Sequence, residues 1–249
     1  MLYINRAWQK TLADLGLDDC QGWLDHQLDL VDAPNHGHGG YSEVGYIGLD
    51  PVSQNSAGIY VKRQYNYSMK TLRHPLKGVP SFRKEYDSIR LLAERGVKTM
   101  EVVFYAETQT KRGREAVLVT ESLADYQSMD ALDDSQYSEE DYRQLVIRIA
   151  QAVAALHRTG YRHPCLYPKH IFVGHDEIRF IDLETVRPHY GLGFLWRKDL
   201  EILLRRSSDR FRQHKALFID SYLGDTASED AKLKLLKQLD KRSKKKSKS

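Results

Sequence analysis

The stretch His163-Pro164-Cys165-Leu166-Tyr167-Pro168-Lys169-His170-Ile171-Phe172-Val173, followed downstream by Asp182-Leu183-Glu184, decides the fold. Its apolar part reads as a strand, Ile171-Phe172-Val173, and a second strand follows at Ile178-Arg179-Phe180-Ile181, with Asp176 in the turn between them. The second strand ends in a carboxylate, Asp182. Upstream, Tyr142, Leu145, Val146, Ile149, Val153 and Leu156 recur on one helical stripe. Ser138-Glu139-Glu140-Asp141 has the pattern of a helix start, and the stripe ends near Gly160. A loop carrying His163, Cys165 and His170 therefore lies between a long helix and a hairpin that ends in an acid.

Further downstream, Trp196 to Arg206 reads as another helix and about Ala227 to Leu239 as a last one. Toward the N-terminus the character changes to strands. Tyr41 to Ile47 and Gly58 to Arg63 suggest a hairpin, preceded by the glycine-rich turn Asn35-His36-Gly37-His38-Gly39-Gly40. Ser81 to Arg95 reads as a helix with Phe82, Tyr86, Ile89 and Ala93 on one face, stopped by Gly96. Val102 to Tyr105 and Ala116 to Val119 read as strands around the charged turn Thr110-Lys111-Arg112-Gly113. The first 34 residues read as short helices, with Trp8, Leu12, Leu15, Trp23 and Leu28 as apolar contacts. No internal repeat is present.

Four features then fall in order: the glycine-rich turn with Gly39 and Gly40, Lys62 on a strand, Glu85 on a helix, and Asp182 at a strand end. Nucleotide phosphates need backbone N–H groups at close range, which glycine permits, and a fixed positive charge. A helical glutamate can hold that lysine, and a carboxylate can hold the metal ion on the phosphates. Protein kinases divide the labour in this way. Taken singly, each feature has a plainer alternative: a tight turn, a solvated lysine, a surface glutamate, a strand terminator. Order and spacing favour the joint reading.

In protein kinases the loop reads His-Arg-Asp-Leu-x-x-x-Asn, then a hydrophobic run, then Asp-Phe-Gly. Here Leu166 and Pro168 fit that frame, His170 falls at the asparagine position, and Leu156-His157 leads into Gly160. The chain resembles the lipopolysaccharide core kinase family, the Kdo kinase/WaaP group with its InaA-type members. The likeness is carried by Gly39-Gly40-Tyr41-Ser42, Val61-Lys62, Phe82-Arg83-Lys84-Glu85-Tyr86, Leu91 to Val97 and Val119-Thr120-Glu121. It continues through His163 to Phe172, Asp182-Leu183-Glu184 and Trp196-Arg197-Lys198-Asp199-Leu200, spanning about residues 35–205.

The resemblance implies an α+β, protein-kinase-like, two-lobed fold. Residues 1–34 would be a helical extension, 35–122 a β-rich lobe with one helix, 123–240 a mainly helical lobe and 241–249 a disordered basic tail. It implies ATP with Mg2+ as cofactors, lipopolysaccharide core oligosaccharide as acceptor, a Gram-negative host and a cytoplasmic location near the inner membrane. Carried over by position, Lys62 would bind the ATP phosphates, Glu85 would orient it, and Glu121 would stand where the hinge meets adenine. Asp182 and His170 would take the metal. Asp199 would support the catalytic loop, or else cap its own helix.

One departure matters. Cys165 stands where the family's active members have aspartate. A thiol, with a reference pKa of about 8.5, is mostly protonated at neutral pH and a poor proton acceptor. Three outcomes follow: a working sugar kinase in which His163 or a substrate group takes the proton, a pseudokinase that binds ATP and regulates or scaffolds a true core kinase, or another phosphoryl transfer in the same pocket. Cys165 also reads as a small buried hydrophobe, or as a nucleophile if a neighbouring His163 or His170 lowered its pKa. His170 and His175 have a permissible zinc spacing, but no Cys-x-x-Cys pair accompanies them.

The bulk properties agree with a soluble, reducing setting. The 249 residues are 41% hydrophobic and 29% charged, with a mean hydropathy of −0.58. No apolar run approaches the roughly 20 residues of a membrane span, and the first residues lack a secretory layout. Cys20 and Cys165 make no disulfide framework. The net charge of +4 hides an asymmetry: Lys232 to Ser249 holds nine Lys/Arg and one Asp, while the remainder holds 29 basic and 33 acidic residues. The basic end has no aromatic residue to stack on bases, so nucleic acid is not expected, and an anionic membrane surface is the better partner.

Overall fold

The structure, a computed structural model, describes residues 1–37, 39–49, 57–69, 78–110 and 113–246, and the side chains as far as residue 240. The chain divides into two compact units. One holds Met1–Leu91 and Met100–Asp125, the other Leu92–Thr99 and Tyr126–Ser249.

The first unit is built on an antiparallel sheet. In chain order its elements are β1 (Leu2–Ile4), α1 (Gln9–Asp14), α2 (Cys20–Asp25), β2 (Asp29–Leu30), β3 (Asn35–Gly37), β4 (Gly40–Gly48) and β5 (Gly58–Tyr65). There follow β6 (Ser68–Met69), β7 (Val79–Pro80), α3 (Ser81–Glu94), β8 (Val102–Thr110) and β9 (Gly113–Glu121). The strand order is β1-β8-β9-β5-β4-β2, with β3 also paired to β4, and β6 and β7 form a small separate pair. Side chains alternate across β5. Ile59 and Val61 join Leu12, Leu17, Trp23, Val103, Phe104, Val117 and Val119 in a buried cluster, and Lys62 points to the other face. Both faces of the sheet are covered, because α3 packs Phe82, Tyr86 and Ile89 against it. Tyr86 stacks on Tyr105 with ring centroids 4.4 Å apart.

Residues 1–34 do more than the helices expected of them. β1 pairs with β8 and β2 with β4, and strands of two and three residues are too short to show an alternating pattern. Within this segment Leu15 is exposed, and Leu17 takes the core position instead. The chain turns through Gly16 at φ +66°, and Leu17 N–H donates back to the Leu12 carbonyl at 2.8 Å. The glycine-rich turn joins β3 to β4, with His38 outside the described residues. Lys111 and Arg112 of the turn between β8 and β9 also lie outside them.

The second unit begins with the end of α3, closed as a Schellman motif. Val97 N–H reaches the Leu92 carbonyl and Gly96 N–H the Ala93 carbonyl, with Gly96 at φ +77°. It continues through β10 (Gln127–Ser128), α4 (Glu139–Arg158), β11 (Tyr161–Arg162), β12 (Ile171–Val173), β13 (Ile178–Phe180) and β14 (Arg187–Pro188). The remaining elements are α5 (Gly193–Arg206), α6 (Asp209–Gln213), α7 (Lys215–Leu223) and α8 (Glu229–Lys246). Ser138 caps α4 by accepting from Asp141 N–H at 3.1 Å. The stripe from Tyr142 to Leu156 is buried, as its spacing predicts.

Helices α6 and α7 have no counterpart among the expected elements. Both are short, and α7 buries Phe218, Ile219 and Tyr222, too few positions to establish a helical period. The last helix runs past Leu239, because Lys and Arg are good helix formers. The disorder expected from Lys241 on falls on side chains outside the described residues, although the backbone continues α8 to Lys246. Among the described residues no helix is long and apolar enough to cross a membrane. The architecture is the expected α+β one, with a β-rich first unit and a mainly helical second unit.

Candidate active site

In the first unit the chemistry-bearing pair is Lys62 and Glu85. Lys62 Nζ donates to both carboxylate oxygens of Glu85, at 2.7 and 2.8 Å, and Glu85 is only 1% exposed. A buried carboxylate needs this partner, so the pair holds the lysine amine at a fixed height above β5. Gln64, two residues along the same strand face, fixes the helix that carries Glu85. Its side-chain oxygen accepts from Phe82 N–H at 2.8 Å and from Ser81 Oγ at 3.0 Å, satisfying the start of α3. Arg63, on the opposite face, ties β5 to α2 through the carbonyls of Trp23, Leu24 and His26.

Gly39 and Gly40 end the short β3–β4 hairpin. Gly39 has φ +81°, which the turn requires, and a Cβ on Gly40 would run into the Tyr65 carbonyl, so the close approach of β5 requires the second glycine. Glu121 ends β9. Its carboxylate accepts from the Trp8 indole N–H at 2.7 Å, and its own N–H donates to the Glu101 carbonyl. The Glu121 side chain thus braces the N-terminal segment, and its N–H is engaged with the neighbouring strand.

In the second unit the loop from Arg162 to His170 is organised by Asp199. This residue lies in mid-helix in α5 and is 0% exposed, so it is not a helix cap. Its Oδ2 accepts from the backbone N–H of His163 at 2.8 Å and meets His157 Nε2 at 3.3 Å, while Arg162 Nη2 lies 2.7 Å from Oδ1. Tyr222 of α7 closes the far end by bonding His157 Nδ1 at 2.9 Å. Burial pushes His157 below the usual histidine pKa, outweighing the pull of Asp199.

His163 is fully buried. Its Nε2–H donates to the Ile181 carbonyl at 3.0 Å, and its Nδ1 is buried with no partner among the described residues. Burial lowers its pKa to about 4. A base must reach its proton and hold it near neutral pH. Enclosed and held to the Ile181 carbonyl, His163 is placed to position the loop. Cys165 is half-buried, and its backbone is held from two sides. Its carbonyl accepts from Tyr167 N–H at 2.7 Å and from His170 Nδ1 at 2.8 Å.

Asp182 follows β13 with the left-handed backbone φ +58°, a conformation that aspartate tolerates better than most residues. Its side chain is 39% exposed, and Oδ2 lies 3.2 Å from Nε2 of the buried His170. A partly exposed carboxylate beside an imidazole nitrogen fits one edge of a divalent cation. Among the described residues no group of three or more His, Cys, Asp or Glu is arranged to hold a metal alone. His175 is exposed and pairs with Asp176, away from any such set. Phosphate oxygens would have to complete the coordination of a cation, as in kinases.

Lys62, Glu85, Asp182, His170 and Asp199 were legible in the sequence. Gln64, Arg162 and Tyr222 were not singled out, and only for Gln64 was there a local signal, its i+2 relation to Lys62 on a strand.

Comparison with known proteins places the chain in a family. The model of the lipopolysaccharide kinase (Kdo/WaaP) family matches residues 21–222. Protein InaA of Escherichia coli (strain K12) is 31% identical over 179 residues, covering 68% of this chain and 79% of InaA. The lipopolysaccharide core heptose(I) kinase WaaP of Pseudomonas aeruginosa is 29% identical over 177 residues, 62% of this chain and 63% of WaaP. A solved structure of WaaP in complex with acyl carrier protein superposes with a TM-score of 0.66 over 98% of each chain at 22% identity, which shows the shared fold. The chain therefore belongs to the lipopolysaccharide kinase (Kdo/WaaP) family.

Proposed function

We propose that this chain is an ATP-dependent phosphotransferase acting on a sugar hydroxyl of the lipopolysaccharide core. The observation that carries the proposal is the two-oxygen clasp of Lys62 by the buried Glu85. A lysine held in this way is a preset cation for the α- and β-phosphates of ATP. Gly39 and Gly40 offer backbone without side-chain obstruction, and the end of β9 at Glu121 is where an adenine edge would lie. Asp182 and His170 would hold the cation, which when bound neutralises the phosphate charge. Asp199, Arg162 and His163 keep the loop around position 165 in place.

The second unit also offers a place for the acceptor. A cavity of about 380 Å3 is lined by Asp130, Tyr167, Pro168, Lys169 and Arg206. Its two cations outnumber its single acid, which suits an anionic core sugar. Heptose carrying phosphate and Kdo carrying a carboxylate both have that chemistry.

A second reading rests on Cys165. With His163 buried and its pKa lowered, and unless a substrate group takes the proton, the chain would be a pseudokinase that binds ATP and regulates or scaffolds a true core kinase. Phosphoryl transfer has a loose transition state and depends mostly on positioning and charge neutralisation, so loss of the base slows transfer more than it weakens binding. The deciding experiment is transfer of labelled phosphate from ATP to purified core lipopolysaccharide. Turnover dependent on Lys62 supports the enzyme. ATP binding without turnover, in the presence of every core acceptor tried, supports the pseudokinase.

The basic end adds a location to this proposal: the cytoplasmic side of the inner membrane, where anionic headgroups attract Lys and Arg. Sedimentation with anionic vesicles should fall when residues 241–249 are removed and should weaken with salt. Equal sedimentation of the two forms would remove the membrane from the proposal.

A further inference from the structure

The chain just before α5 presents three large hydrophobic side chains to water: Tyr190 is 70% exposed, Leu192 46% and Phe194 44%. The turn that carries them is held firmly. His189 beneath it is buried, and its Nε2–H donates to the His157 carbonyl at 2.8 Å while its Nδ1 accepts from Gly191 N–H at 3.1 Å. A carbonyl only accepts and an amide N–H only donates, so both ring nitrogens have fixed roles. His189 N–H also reaches the Gly160 carbonyl, and Leu192 N–H returns to the His189 carbonyl. Tyr190, at the tip, takes the left-handed φ +52°, which is unfavourable for a bulky residue. The fold thus holds an aromatic ring outward at a cost in backbone strain, a feature that clusters at functional surfaces.

Positive charge surrounds the turn. From Arg187 to Lys198 the chain has three Lys/Arg and no acid. Phe194 and Arg197 lie three residues apart on α5 and so share a face. Arg197 Nη1 donates to Gln238 Oε1 of α8 at 2.6 Å. The backbone of α8 runs on from Gln238 to Lys246, and its residues 241–246 include five Lys/Arg. The basic end of the chain therefore starts beside the helix face that carries Phe194. Exposed aromatic and aliphatic side chains among Lys and Arg suit the headgroup–acyl boundary of an anionic bilayer. We propose that Tyr190, Leu192 and Phe194 insert into such a bilayer. This deepens the membrane location proposed above and rests on it: the basic end supplies attraction, and the turn supplies insertion.

The test is sedimentation of the full chain with vesicles of phosphatidylethanolamine and phosphatidylglycerol, for the wild type and for Tyr190→Ser/Leu192→Ser/Phe194→Ser. A half-exposed side chain leaving water is worth about fivefold in partitioning, so the triple variant should bind about a hundredfold more weakly. Salt screens charge attraction and spares apolar burial, so at high salt the wild type should keep part of its binding and the variant none. Leu192→Trp reports insertion while keeping the turn apolar: brominated acyl chains should quench its added fluorescence. Undiminished binding of the triple variant, or unquenched Leu192→Trp on bound vesicles, would overturn the insertion and leave attraction by the basic end standing. A wild-type dimer that is lost in the triple variant, with Leu192→Trp unquenched, would overturn it by assigning the turn to a second copy of the chain. Absence of wild-type binding to these vesicles would overturn both the insertion and the membrane location.

Discussion

The two units treat their reactive residues differently. In the first, Lys62 and Glu85 would serve structure and chemistry at once: the pair proposed to grip phosphate also neutralises a buried carboxylate. In the second, the two tasks are separated. Asp199, Arg162, His157 and Tyr222 hold the loop in place, and the hydrogen bonds that position 165 makes there among the described residues are through its carbonyl. Its half-buried side chain is not part of that hydrogen-bond network. A thiol can therefore stand where protein kinases carry an acid while these contacts persist, whereas loss of Lys62 would also strand Glu85. The contrast shows why catalytic competence and foldedness must be tested separately in this chain.

The largest effect should come from the scaffold. Asp199→Ala leaves Arg162 as a buried cation without its carboxylate and removes the acceptor of His163 N–H. Breaking a buried pair from one side costs about 3–5 kcal/mol. Urea unfolding should show a loss of that size, and a loss near zero would mean that Asp199 does not organise the loop. Next comes the pH dependence of stability. His163 titrates near pH 4 in the folded chain and near pH 6.5 when unfolded. The folded state thus favours the neutral ring: its contribution is full above about pH 6.5 and fades as pH falls toward 4. Over that window it amounts to about 3 kcal/mol. In His163→Gln the stability profile between pH 6.5 and 4 should be flatter, with a residual slope from His157. An unchanged slope would show that His163 is not held neutral.

How much of this was legible depended on sequence distance and element length. Lys62 could be placed because Val61 before it is a core residue and strands alternate. Glu85 could be placed because Phe82, Tyr86 and Ile89 mark the apolar side of its helix. Asp182 showed itself by ending a strand. Asp199 was visible only through family resemblance, since a single acid within an apolar helix carries no local signal. Its partner network could not be foreseen: Tyr222 lies 65 residues from His157, on a helix too short to show a period. β1 and β2 were hidden for the same reason of length. The buried state of His163 was also hidden, because a histidine beside a reactive position looks the same in sequence whether it is exposed or enclosed.

The last two predictions set the halves of the contrast against each other. Cys165→Asp restores a carboxylate on a loop that already has its shape. It should raise phosphotransfer to core oligosaccharide by about 10²-fold, the lower end of what a positioned base contributes, with little change in stability. No gain would mean that the second unit lacks more than its base. Lys62→Ala should act mainly on binding. Removing one charge-assisted contact to phosphate should weaken ATP about tenfold, equivalent to about 1.4 kcal/mol. Because the same change strands Glu85, the variant will also melt earlier without ligand. The informative quantity is therefore the rise in melting temperature on adding ATP with the divalent cation, compared between the two proteins. A smaller rise in the variant ties Lys62 to the nucleotide. An equal rise, with only the unliganded stability lowered, would make the Lys62–Glu85 pair structural alone, and the first unit would then resemble the second in keeping its scaffold apart from its chemistry.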